Sequence, residues 1–179
     1  MRPMKPDPGI RVQTVRIPTE NGGVSALLLS PLTAPKNAAG ILWLHGGGYI
    51  AGMKEMVHAS RAVDLVKKFG AVVLSPGYRL ALKAPYPAAI DDCYAALLYL
   101  KAHAAAFGVR SDQLMVGGES AGVPAELDVY HSDMHAFDMM RPDDVLSIQA
   151  AEAFNTRFAD AQARFFTPQH EIQEERHDS

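Results

Sequence analysis

The spacing of apolar positions changes several times along the chain, and each change marks an element. Val12–Pro18 (VQTVRIP) and Val24–Ser30 (VSALLLS) flank the turn signal ENGG, which predicts an antiparallel hairpin. Gly40–His45 (GILWLH) and Ala71–Ser75 (AVVLS) are short, continuously apolar runs of the kind buried on both faces of a sheet. Between them, Met56, Ala59, Val63, Val66 and Phe69 recur at helical spacing, and Gly70 stops the helix. A second helix begins at Pro87 and runs through DDCYAALLYLKAHAA with a continuous apolar face. Gln113–Gly118 (QLMVGG) reads as a strand, and Glu126–Tyr130 (ELDVY) alternates like a last one. From Asp144 to about Phe166, the positions Ile148, Ala151, Phe154, Phe158, Ala161 and Phe165 mark a final amphipathic helix. Strands alternating with helices predict an α/β fold with a largely parallel sheet behind the hairpin.

Composition adds limits. The 179 residues suit one domain. A net charge of −3, with no basic cluster, argues against nucleic acid or an anionic membrane as partner. Cys93 is the single cysteine, so no internal disulfide can form and a reducing compartment is expected. The opening MRPMKPDPGI has no apolar core, so no secretory leader is expected. No apolar run nears the roughly 18 residues that a membrane span needs. These features predict a cytoplasmic protein.

Two glycine motifs carry the chemistry. Gly118-Glu119-Ser120-Ala121-Gly122 follows a strand, and Gly-x-Ser-x-Gly there makes a tight bend with the serine at its tip. Upstream, Leu44–Tyr49 (LHGGGY) ends another strand, where the backbone N–H groups of Gly47 and Gly48, joined by that of Ala121, can approach a developing alkoxide. His45 fits a structural hydrogen-bonding role. The competing reading is a phosphate loop, since Gly46, Gly48 and Ala51 loosely mimic a dinucleotide fingerprint. Asp64, however, falls inside the predicted helix and not at the end of the next strand, where ribose recognition needs it. His58, His103, His170 and His177 have no motif around them and are expected at the surface.

HGGGY, then YRLALKAPYPAAIDDCYAALLYL, then GGESAG, in that order, resembles the hormone-sensitive-lipase-like branch of the α/β-hydrolases, which are carboxylesterases and lipases. The likeness runs from about Ile10 to Gly122. Gly77 and Leu82 stand where that family's pattern has an acid and a proline, and Arg79 and Asp91 look like structural charges. The later stretch VPAELDVYHSDMHAFDMM resembles the family's last strand and histidine loop, with His135 on the catalytic position. The resemblance implies a serine hydrolase of small-molecule esters, with Ser120 as nucleophile, His135 as base and no cofactor. His131 and His135 are four apart, but no HExxH glutamate accompanies them and a strand-and-turn setting would not bring both onto one face, so no metal site is expected.

Ser120 and His135 are only fifteen residues apart. The family places further βα units between them, each of about 30 residues. The chain therefore reads as one internally shortened hydrolase domain over residues 1–166. Residues 1–122 carry the oxyanion loop and nucleophile bend, residues 123–166 the last strand, histidine loop and final helix, and residues 167–179 a polar tail. Glu126, Asp128 and Asp133 are the only carboxylates between serine and histidine, and none matches the family's acid position. A weak esterase is expected. The alternative is an inactive relative acting as a scaffold or by self-association. An unpaired edge on the QLMVGG strand further predicts a homodimer.

Overall fold

A computed structural model describes residues 4–20, 22–119 and 141–165. Strand β1 (Ile10–Ile17) turns back into β2 (Val24–Pro31). The two pair antiparallel from Ile10 opposite Pro31 to Ile17 opposite Val24, the hairpin that ENGG predicts. With β3 (Ala38–Leu44), β4 (Val72–Pro76) and β5 (Val109–Gly118) they form a sheet of order β1-β2-β4-β3-β5. β4 lies antiparallel to β2, and β3 lies parallel to both β4 and β5. All strands but β2 therefore run the same way, giving the mostly parallel sheet with an antiparallel N-terminal hairpin that the sequence predicts. Val72, Val73 and Leu74 of β4 have no exposed surface, which demands cover on both faces of the sheet.

Among the described residues, the cover comes from three α-helices. Helix α1 (Ala62–Phe69) packs Val63, Leu65 and Val66 against Leu29, Ile41, Trp43 and Val73 on one face. Helix α2 (Ala88–Ala102) packs Ala96 and Leu100 against Leu28, Leu42, Val72 and Leu74 on the other. Helix α3 (Val145–Phe165) joins α1 on its side of the sheet. Phe154 meets Trp43 edge-on with ring centres 6.3 Å apart, and Phe158 meets Phe69 at 5.0 Å.

Two helical expectations need correction. The stretch from Lys54 to Phe69 is not one helix: a 3-10 turn (Lys54–Ala59) is separated from α1 by extended backbone at Ser60. The Ser60 hydroxyl donates to the Val57 carbonyl at 2.8 Å and accepts the Ala62 N–H at 3.1 Å, so the serine closes one turn and caps the next. The α1 terminus is as expected, with Gly70 left-handed at φ 67°. In α3 the packed row starts at Ser147, 1% exposed, and continues through Ala151 and Phe154 to Phe158, while Ile148 is 45% exposed. Ser147 thus takes the first place in the row that the apolar pattern gives to Ile148, while Ala151, Phe154 and Phe158 stand where the pattern puts them. The expected ELDVY strand, Phe166 and the tail 167–179 lie outside the described residues. No helix among the described residues is long and apolar enough to cross a membrane.

Phe158 is 8% exposed between α1 and α3. Phe158→Ala is predicted to cost about 3 kcal/mol, measured by urea unfolding, whereas Ile148→Ser at the exposed rim leaves the midpoint within about 0.5 kcal/mol of the parent.

Candidate active site

The connection leaving β3 leads to α1 on one face of the sheet, and that leaving β4 leads to α2 on the other. Where neighbouring parallel strands send their connections to opposite faces, a crevice opens at the carboxyl edge. The LHGGGY loop and the Tyr78–Ala81 segment meet there. The Tyr78 ring stacks on the His45 ring, centres 4.0 Å apart and planes 5° from parallel. Its hydroxyl donates to the His45 carbonyl at 2.6 Å. Burial pushes the Tyr78 phenol up to about 12, so it remains a donor throughout the physiological range. Further along, the Ala81 N–H donates to the Tyr49 carbonyl at 2.7 Å.

His45 is 2% exposed, and burial lowers its pKa below the ordinary value of 6.5, which keeps the ring neutral. Its Nδ1 lies 2.9 Å from the Gly46 carbonyl, which assigns the proton to Nδ1. His45 is thus a structural residue, as its motif suggests, and not an acid or base. Beyond it the chain doubles back: the Gly47 carbonyl accepts from the N–H groups of Ile50 at 3.1 Å and Ala51 at 3.0 Å. Gly47 holds φ 121°, and a Cβ there would stand 2.1 Å from the Ala51 carbonyl oxygen, so no other residue fits. Gly48, at φ 60°, has open space around it. Both glycines are exposed, and neither N–H donates to a backbone carbonyl among the described residues. The loop therefore holds two N–H groups with no backbone acceptor among the described residues, on a backbone that is otherwise tied down.

A half-buried charge pair holds the Tyr78 segment in place. Arg79 grips Asp92 through Nε at 2.9 Å and NH2 at 2.8 Å, and Asp92 also accepts the Arg79 backbone N–H at 2.8 Å. Asp92 is 1% exposed, and the carboxylate raises the Arg79 pKa further. The structural acid of this segment is accordingly Asp92, while the expected Asp91 is exposed. Helical phase decides between them, because Ala88, Asp92, Ala96 and Leu100 form the buried row at intervals of four. His58 also departs from expectation: it is 7% exposed, with Nδ1 unpartnered, and burial lowers its pKa. His103 lies at the surface, its Nδ1 2.9 Å from the Tyr99 carbonyl. Asp64 is inside α1, as the argument against a dinucleotide loop requires. Cys93 is pushed up to about 12 by burial, chiefly, and is no nucleophile.

β5 reaches this same edge. Trp43 pairs with Gly117 and Leu44 with Gly118, and the Glu119 N–H donates to the Leu44 carbonyl at 3.2 Å. Glu119, the residue just past β5, is thus bonded to the residue just before His45. Ser120, Ala121, His135 and the carboxylates Glu126, Asp128 and Asp133 lie outside the described residues, as does His131.

The comparisons agree with this architecture. A family profile described as alpha/beta hydrolase fold matches residues 41–129. Bovine (Bos taurus) hormone-sensitive lipase is 33% identical over 96 residues, covering 54% of this chain and 13% of the lipase. Esterase LipI of Mycobacterium tuberculosis is 33% identical over 117 residues, 64% of this chain and 36% of that esterase. Among solved structures, the carboxylesterase EstE1, cloned from a metagenomic library, superposes with a TM-score of 0.60 at 32% identity, over 66% of this chain and 40% of that one. A bacterial heroin esterase does so with 0.58 at 30%, over 62% and 35%. The chain belongs to the α/β-hydrolases, on their hormone-sensitive-lipase-like branch. It spans 36% of the length of Esterase LipI.

Two predictions follow from the loop and its histidines. Gly47→Ala is expected to cost about 2 kcal/mol or more, because backbone must move, and Gly48→Ala only about 1; urea melts of the two variants measure the difference. His45 and His58 both have folded-state pKa values below 6.5, so the unfolded chain binds more protons as the pH drops. Their contribution to stability is complete above that value and is lost below it. The urea midpoint should fall from about pH 7 to about pH 5, and less steeply in His58→Gln.

Proposed function

We propose that the chain is a serine-type hydrolase of short-chain carboxylic esters, built as one shortened domain over residues 1–166. The Ser120 Oγ attacks the acyl carbonyl carbon while His135 takes the hydroxyl proton. The negative charge that forms on the carbonyl oxygen is received by the N–H groups of Gly47, Gly48 and Ala121. His135 returns the proton to the departing alkoxide. It then activates a water that releases the acid and regenerates Ser120. No cofactor enters these steps.

One observation carries the reading. The loop with two N–H groups that have no backbone acceptor among the described residues leaves β3 beside β5, which ends two residues before Ser120. An oxyanion site needs that adjacency, and a phosphate loop does not. The names of the relatives, acetyl esterase of Salmonella paratyphi A among them, point to the same bond type.

The activity proposed is weak. Glu126, Asp128 and Asp133 are the only carboxylates between Ser120 and His135, and none occupies the position of the family's acid. A triad lacking its acid retains part of its rate through the remaining groups. A second reading, a non-catalytic relative that self-associates, is favoured by β5: among the described residues it is the edge of the sheet, and Val116 on it is 45% exposed.

A fluorophosphonate probe should label the wild-type chain on Ser120 and fail to label Ser120→Ala, and short p-nitrophenyl esters should be cleaved slowly by the former alone. Equal turnover by both proteins would remove the esterase reading. His135→Ala should lose as much as Ser120→Ala, with His131→Ala near wild type. Amide substitution of Glu126, Asp128 or Asp133 should change the rate only a few-fold. A loss of about 10⁴-fold at one of them, the size expected of a true triad acid, would identify a replacement.

A further inference from the structure

Helix α2 buries one face and carries an apolar ridge on the other. Ile90, Tyr94 and Leu98 are 51%, 61% and 47% exposed, and they follow one another at intervals of four, opposite the buried row. At 1.5 Å per residue the ridge is about 12 Å long. Contiguous exposed apolar patches rimmed by polar residues mark interaction surfaces. Here the rim is asymmetric: exposed Asp91 stands near the N-terminal end and exposed Lys101 near the C-terminal end. Neither enters an ion pair among the described residues.

We propose that this face docks a second copy of the same chain, the two α2 helices lying antiparallel about a two-fold axis level with Ala96. Tyr94 and Leu98 are each two residues from Ala96, and Asp91 and Lys101 are each five. A two-fold rotation therefore sets Tyr94 of one copy against Leu98 of the other, and Asp91 against Lys101, twice over. Parallel docking would instead put like charges together and align the helix dipoles. Charge order along the ridge thus selects self-pairing in one orientation, and an isologous contact of this kind closes at two copies. None of Ile90, Tyr94 and Leu98 belongs to the glycine loop or to β5, so the proposal stands independently of the esterase reading.

Sedimentation equilibrium across a hundredfold dilution tests it, with melting curves confirming that each variant is folded. Wild type should show a reversible monomer–dimer equilibrium. Lys101→Glu, which faces two acids with two more, should raise the dissociation constant about tenfold or more. Adding Asp91→Lys to it should restore the wild-type value, and Leu98→Gln should weaken the dimer with either charge arrangement. A wild-type chain that is monomeric throughout would overturn the proposal. So would a dimer indifferent to these substitutions, which would mean that association runs through another surface such as the β5 edge.

Discussion

Parallel hydrogen bonding between β3 and β5, continued by the Glu119 N–H onto the Leu44 carbonyl, sets the exits of two distant segments side by side. Strands separated by more than sixty residues of chain leave the sheet at one edge because they share a register, Leu44 opposite Gly118. The glycine loop then begins where the serine motif begins. Every functional statement about this chain rests on that pairing. A slip of one residue would turn Trp43 away from Phe154 and the α1 side of the sheet, so packing on α3 helps hold the register.

The loop itself is held by contacts that take no part in chemistry. Asp92 on α2 fixes Arg79, the Tyr78–Arg79 segment fixes Tyr78 over His45, and Tyr78 bonds the His45 carbonyl. Each partner is buried or half-buried, and burial keeps Tyr78 protonated and His45 neutral. Gly47 and Gly48 beyond are exposed residues, and their N–H groups donate to no backbone carbonyl among the described residues. An oxyanion site works by such preorganisation, since donors that need not reorient lose nothing as charge develops.

Much of this was legible in the sequence because the signals were local. The ENGG turn, the apolar runs of β3 and β4, Gly70 after α1 and the two glycine motifs each specify their own stretch. What was missed depended on a neighbour. Ser60 breaks a helix because its hydroxyl finds both Val57 and Ala62. Choosing Asp92 over Asp91 needed the phase of α2, a signal present in the spacing to Ala96 and Leu100 but weaker than the acid pair itself. His58 carries no mark of burial beyond its adjacency to Val57. On α3, Ser147 takes the place that Ile148 would claim on hydropathy, because a small residue fits where Arg61 reaches the Ser147 carbonyl at 3.3 Å.

The central proposal is that the Gly47 and Gly48 N–H groups receive the charge that develops on the acyl oxygen when Ser120 attacks. Amide NMR of the chain before and after reaction with a fluorophosphonate reads this directly, because the phosphonyl oxygen of the adduct stands where the oxyanion would. The account predicts downfield shifts of the Gly47 and Gly48 amide protons, with those of Ile50 and Ala51, already engaged by the Gly47 carbonyl, moving far less. A Ser120 adduct that leaves both glycine amides unmoved would contradict it.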